Sequence, residues 1–348
     1  MTDVHAEPGM AVDADLLQMM DAVLADYRQG HPPAPAVRFD AELWRTLDQL
    51  GLVRLTGSPA TGGSGAGWAE SAELISAAAR HGVRVPLAEH DLLACWLLDA
   101  AGLAVDDAMR TVCVLDEAGT ATAVPWAACA SRVVAIWSDG DSHRVADIDP
   151  GTLHIAPGTN MIGEPRDTVT ADIAALTPHS TAIDAGLAEQ LRLKSALVRA
   201  IQVCSVLDTI LVIAVEHTTS RVQFGRSLSK FQAIQHMIAD MAAEAALARA
   251  STEAALAAAI AGDWAADNLG FLVAVARSCT GHAASVVVRN AHQALGAIGT
   301  TIEHRLHEYT RAALAWRSEY GSVQHWDEMV TRSALGVGAR GLWGLVTG

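Results

Sequence analysis

From residue 183 to the end the sequence is Ala-rich and keeps a helical period, and this stretch constrains the fold more than any other. Ile234, Met237, Ile238, Met241 and Ala245 fall on one helix face. Such a stripe reads as core. The first half has a different character. Residues 11 to 29 and 39 to 51 read as helices; in the second, Leu43, Leu47 and Leu50 recur at helical spacing and Gly51 stands as a C-terminal cap. "TGSPATGGSGAG", 56 to 67, is a loop by composition. "WAESAELISAAARHG" and "PLAEHDLLACWLLDAAG" are two further helical stretches, each closed by glycine.

Near residue 111 the pattern changes again. "TVCVLDE", "ATAVPWA", "RVVAIWSD" and "HRVADIDP" are short, rich in Val and broken by Gly, Asp and Pro. They predict strands and turns of a small β domain reaching to about residue 175. The order is therefore helices, a small β module, then long helices, with no repeat.

A chain of 348 residues, 51% of them hydrophobic, has material for a large core. Its formal net charge of -15 argues against bulk attraction to nucleic acid or to an anionic membrane. Cys95, Cys113, Cys129, Cys204 and Cys279 are scattered with no CxxC pair, which predicts reduced thiols in a cytoplasmic protein and no metal site built on them. The first residues, "MTDVHAEPGMAVDADLL", lack the basic and apolar regions of a signal peptide. "SVLDTILVIAVEHTTSR", interrupted by Asp208 and Glu216, is read as too short and too polar to span a bilayer, hence as a buried helix.

Two motifs stand in the helical half. One is R-x-x-F-G, Arg221 to Gly225, followed by Gln232 and "IADM", 238 to 241. The other is "QALGAIG", 293 to 299. Together with the element order they resemble the acyl-CoA dehydrogenase family, whose second motif is Q-x-x-G-G-x-G. The resemblance covers nearly the whole chain and is strongest from 216 to 322. It implies a mainly α fold with a small β domain: an N-terminal helical domain (1–110), a middle β-barrel-like domain (111–180) and a C-terminal four-helix bundle (181–348) carrying the FAD and oligomer interface. FAD would be held between subunits, and the protein would be an obligate dimer or a dimer of dimers.

The side chains suit that cofactor. Arg221 offers a permanently charged fork for phosphate oxygens. Phe224 offers an aromatic face. Gln223, Gln232 and Gln293 supply amides, and Gly296 and Gly299 permit close backbone approach. Taken singly, each has a structural alternative: Arg221 as a cap on a helix C-terminus, Phe224 as core, Gly225 as a helix stop. The joint pattern carries the FAD reading.

The family's base is missing. It is a glutamate just before a Gly-Thr downstream of the second motif, and it takes the α-proton of the thioester. Counted without gaps from Gln293, that Gly-Thr falls on Gly321-Ser322 and the base position on Tyr320. Some branches place the base early in the helix before the first motif, which falls on Ser195. Neither is a carboxylate, and Tyr320 has an ordinary pKa of about 10. Glu319 is the fallback candidate. Glu303, His304 and His307 lack a metal-binding spacing and read as surface polarity of a helix. The family's Thr-Glu-Pro stretch is also absent; "APGTNMIGEPRDTV", 156 to 169, is nearest in character.

The resemblance thus points to the short, non-catalytic subunit of actinobacterial heterotetrameric dehydrogenases of the sterol side-chain type. This chain would complete an FAD site for a homologous longer subunit (α2β2) that dehydrogenates a bulky acyl-CoA, and electron-transferring flavoprotein would be the acceptor. Two alternatives stay open: a self-sufficient homotetramer with a relocated base, and a flavin-free scaffold or acyl-CoA-binding protein.

Overall fold

No proline follows Pro178, and the chain beyond it forms helices of up to 36 residues. The structure, a computed structural model, describes residues 12–34, 36–140 and 142–347. The readings made on residues 1 to 11 lie outside these. The chain divides into two compact units, one built from Leu17–Ala78 and Val83–Ser195, the other mainly from residues 196 onward. The boundary expected near 110 falls inside the first unit.

In the first unit α1 (Ala14–Gly30) and α2 (Ala41–Gln49) lie close to the predicted spans. Asp40 caps α2 by accepting the N–H groups of Glu42 and Leu43 at 2.9 and 3.0 Å. Gly51, with φ of 72°, ends it as predicted. The glycine loop folds back on itself: a Cβ on Gly63 would lie 2.0 Å from the Gly57 carbonyl oxygen, so only glycine fits there. Next comes α3 (Trp68–His81).

The stretch from 86 to 102 departs from a regular helix. Ala88–Cys95 is π-helical, and only Trp96–Ala100 is α4. The wider turn carries three buried polar residues inward. His90 Nδ1 accepts the Arg110 N–H at 3.0 Å, and Asp91 Oδ2 accepts the Thr56 N–H at 2.9 Å. Asp91 Oδ1 is buried without a partner. Burial pushes the Asp91 carboxyl up to about 6. Because the folded state then binds the proton more tightly than the unfolded chain, stability falls as pH rises from about 4 to about 6. Asp91→Asn is expected to flatten that part of the stability–pH curve and to raise stability at neutral pH by up to about 3 kcal/mol, read from urea midpoints.

Seven strands follow: β1 (Arg110–Val114), β2 (Thr120–Pro125), β3 (Arg132–Asp139), β4 (Ser142–Ile148), β5 (His154–Ala156), β6 (Arg166–Thr170) and, after the short α5 (Ile173–Leu176), β7 (Thr181–Ile183). They make two sheets, ordered β1-β3-β4-β7 and β2-β6-β5. Only β1 and β3 pair in parallel within the first sheet. Val133, Ala135 and Trp137 of β3 pack with Ala121, Val124 and Val169 of the second sheet. Val134 and Ile136 face the other way, onto Leu93, Leu97 and Leu98. Burial on both faces is why "RVVAI" is an unbroken apolar run rather than an alternating one. The module ends at Ile183, beyond the expected 175, because β7 joins the edge of β4.

The second unit is helical. Its four long helices are α6 (Ala185–Ser220, from Ala196 onward), α7 (Gln232–Ala261), α8 (Leu269–Leu295) and α10 (Val323–Thr347), with α9 (Leu306–Trp316) shorter. The tiny strands β8 (Val222–Gln223) and β9 (Arg226–Ser227) join α6 to α7. Helix α8 packs against both α7 and α10, and at Gly281 the approach is so close that a Cβ would meet Val323 at 2.6 Å. Helix α10 breaks at Gly338, φ 64°.

The apolar segment read as too short for a membrane belongs to a helix of 36 residues. By length and composition that helix and Leu269–Thr300 could each cross a bilayer. However, 67% and 61% of their apolar windows are buried inside the protein, with Val206, Leu207, Ile210, Val273, Ala274 and Val287 at 0% exposure. That is the burial of core helices.

Candidate nucleotide site and base turn

The R-x-x-F-G motif is a hairpin, not a helix stop. The Arg221 N–H donates to the His217 carbonyl at 2.9 Å, which finishes α6. Strands β8 and β9 then pair across Phe224 and Gly225. Both turn residues have positive φ, 51° and 76°. This is the geometry of a two-residue hairpin turn that ordinarily takes Asn-Gly. Phenylalanine is costly there, yet its ring stands 90% exposed. A strained and exposed aromatic is a feature held for contact with something else. Its nearest ring is Phe231, edge to face at 6.2 Å, and the Arg226 guanidinium lies 4.1 Å over Phe231.

Arg221, Gln223 and Gln232 are exposed on the same arm. No ion pair holds the Arg221 guanidinium among the described residues. Gln232 opens α7, whose N-terminus has no side-chain cap, so the positive end of a 30-residue helix faces the arm.

The second arm follows α8. Gln293 is exposed in its last turn. Gly296 has φ 66° and ψ -143°, and its N–H caps the helix on the His292 carbonyl. A Cβ on Gly296 would meet nothing within 4 Å, so the backbone alone demands glycine. Gly299 is required by space instead: a Cβ would sit 2.9 Å from Leu295 Cβ. Gly296→Ala is expected to lower stability by about 1–3 kcal/mol without any steric clash, measured by thermal denaturation. The two arms touch through the rings of His217 and His304, 6.2 Å apart.

These side chains fit FAD. They offer a free cation, an exposed aromatic face, three amides and a helix N-terminus to an anionic, aromatic nucleotide. They stand exposed on the two arms.

The base turn is of another kind. Tyr320 lies between α9 and α10 with φ 55°. Glu319 is not poised as a base: its Oε2 accepts from Arg199 Nε at 2.7 Å in a pair where Arg199 is 1% and Glu319 15% exposed. The Arg199 guanidinium also lies 5.2 Å from the Tyr320 ring centre. Arg277 Nη2 donates to the carbonyls of Arg317, Glu319 and Gly321 at 3.0, 2.7 and 3.4 Å. Burial, with the like charge of Arg199 second, pulls Arg277 down to about 9, so it is charged at neutral pH. Ser195 is buried and donates back to the Leu191 carbonyl at 2.8 Å. Arg199 and Arg277 did not figure among the sequence candidates. Their signal was a single arginine inside each apolar helical run, "SALVRAIQV" and "LVAVARSC". The trio of Glu303, His304 and His307 spends its nitrogens locally: His304 Nδ1 accepts the Leu306 N–H at 3.1 Å, and His307 Nδ1 lies 2.8 Å from the His304 carbonyl.

A family model described as Acyl-CoA dehydrogenase, C-terminal domain, matches residues 191–335, which takes in both arms and the base turn. The acyl-CoA dehydrogenase IpdE2 of Mycolicibacterium smegmatis is 27% identical over 90% of this chain and 94% of its own length. The C-terminal part of the chain thus matches the acyl-CoA dehydrogenase family, and the likeness to IpdE2 runs over nearly its whole length. That likeness is to FAD-dependent oxidoreductases that act on acyl-CoA thioesters. Among solved structures, the ChsE4–ChsE5 complex from Mycobacterium tuberculosis matches the acyl-CoA dehydrogenase fold seen here with a TM-score of 0.81 at 20% identity, covering 93% of this chain and 98% of that one. A Tcur3481–Tcur3483 steroid ACAD variant matches at 0.77 and 20% identity, over 92% and 99%.

Proposed function

We propose that this chain is the partner subunit, lacking the catalytic base, of an α2β2 acyl-CoA dehydrogenase that acts on a bulky, steroid-derived acyl-CoA. One contrast carries the reading: the nucleotide arms are intact and exposed, while the two base positions hold Tyr320 and a buried Ser195, neither a carboxylate, and the neighbouring Glu319 is paired with Arg199. The likeness to IpdE2, and to solved structures of a two-component complex and a steroid ACAD, supports the substrate class and the heteromeric assembly. In this reading Arg221, Gln223, Phe224, Gln232, Gln293 and Gly296 hold FAD. Held there, FAD would supply the acceptor for the hydride that leaves the β-carbon. A carboxylate of the homologous longer subunit takes the α-proton. Electron-transferring flavoprotein is the acceptor, the cytoplasm the compartment, and 1–110, 111–180 and 181–348 the domain division.

The test is to purify this chain alone and co-expressed with the homologous longer subunit, recording flavin absorbance and native mass. A yellow tetramer only with the partner is the expected result. A yellow, active homotetramer of this chain alone would overturn the assignment. A colourless protein in every assembly would leave a flavin-free scaffold.

A further inference from the structure

The two nucleotide arms lie far apart in sequence and meet through a pair of imidazoles. His217 stands in the last turn of α6, where its carbonyl accepts the Arg221 N–H at 2.9 Å. His304 stands in the loop after Gly296–Thr300. Its ring is held by the Leu306 N–H, and its carbonyl lies 2.8 Å from Nδ1 of His307. The His217 and His304 rings meet edge to face at 6.2 Å, with an interplanar angle of 89°. Each ring therefore belongs to one arm: the His304 ring is fixed by the Leu306 N–H, and His217 is tied to the hairpin through its backbone carbonyl. We propose, resting on the nucleotide reading above, that His217 and His304 are positioning residues that hold the Arg221–Phe224 arm and the Gly296 arm at the spacing a flavin nucleotide needs, and that they do so as neutral rings.

The surroundings require neutrality. The charges acting on the pair are all cationic: Arg221 on His217, and Arg305 and His307 on His304. His292, behind them on α8, feels His307 in the same sense. The nearest carboxylates in the chain do not offset this. Glu216 and Glu303 are exposed, Glu308 is half-buried, and none contributes to the balance at either ring. Arg305 is engaged with the Tyr309 hydroxyl at 3.0 Å. Burial first, and these charges after it, lower the proton affinity of His217 and His304; at His292 burial lowers it against a Gly299 backbone hydrogen bond that raises it. A histidine whose folded-state pKa is lowered stabilises the fold above its ordinary pKa of about 6.5, and loses that contribution as pH falls through the lowered value. Two facing imidazolium rings would repel, and the arms would part.

The experiment measures FAD affinity by flavin fluorescence on the full chain in its flavin-bearing assembly, from about pH 8 to about pH 5, the range in which imidazoles charge. The wild type is expected to bind FAD about tenfold more weakly at the acid end. His217→Phe and His304→Phe keep an edge-to-face contact without a titrating group, and are expected to flatten the profile. His217→Ala loses the contact and is expected to weaken binding threefold to tenfold, on the order of an aromatic pair, at every pH. A wild-type profile flat over this range, or unchanged in both Phe variants, would overturn the proposal. An assembly without flavin at pH 8 would remove the nucleotide reading itself, and this inference with it.

Discussion

Arg221→Ala is expected to leave the assembled dehydrogenase colourless. The side chain is exposed and unclamped, so its removal leaves the hairpin standing: the Arg221 N–H still reaches His217, and the Leu228 N–H still donates to the Arg221 carbonyl at 2.9 Å. What disappears is a charge-assisted contact to a diphosphate. Such a contact is worth about 1.5–3 kcal/mol, so FAD affinity should fall by about ten- to a hundredfold. The measurement is the flavin-to-protein ratio after gel filtration, beside a far-UV spectrum that should not change. Full flavin retention in a folded variant would sink the nucleotide assignment.

The second large effect is on stability. Arg199→Met is expected to destabilise the chain by about 3–5 kcal/mol, because it strands the Glu319 carboxylate in a largely buried place. Pairing it with Glu319→Leu should recover most of that loss, since removing both charges leaves neither uncompensated. Urea midpoints of the two single variants and the double variant close the cycle. Glu319→Gln adds a kinetic readout: in the complex, turnover should persist. Abolished turnover with flavin still bound would identify Glu319 as the base.

How legible this was differs by element. Helix α3 was readable to within a residue, because Gly82 with φ 67° stops it. Strand β3 was readable because burial on both faces leaves an unbroken Val-rich run. The π-helical turn at Ala88–Cys95 was not, since eight residues of wider register leave no periodic signature. In the site, the residue types of the nucleotide arms were visible as motifs, but the hairpin was not. Phe-Gly is an uncommon occupant of a turn that favours Asn-Gly, so "VQFGRS" reads as the end of a helix. The tie between Arg199 and Glu319 spans 120 positions. Nothing local in either segment encodes it; it exists only once α6 and the turn after α9 are packed.

That tie also bears on reversibility. A glutamate restored at position 320 would not recreate a proton acceptor. It would arrive beside Arg199, whose guanidinium lies over the Tyr320 ring, and beside a turn whose carbonyls are gathered by Arg277. Both cations would hold the new carboxylate ionised and weakly basic. A working base there would require removing Arg199 as well, at the loss of stability expected above for Arg199→Met. Under the two-subunit reading proposed above, no single substitution at position 320 would therefore release this chain from its partner.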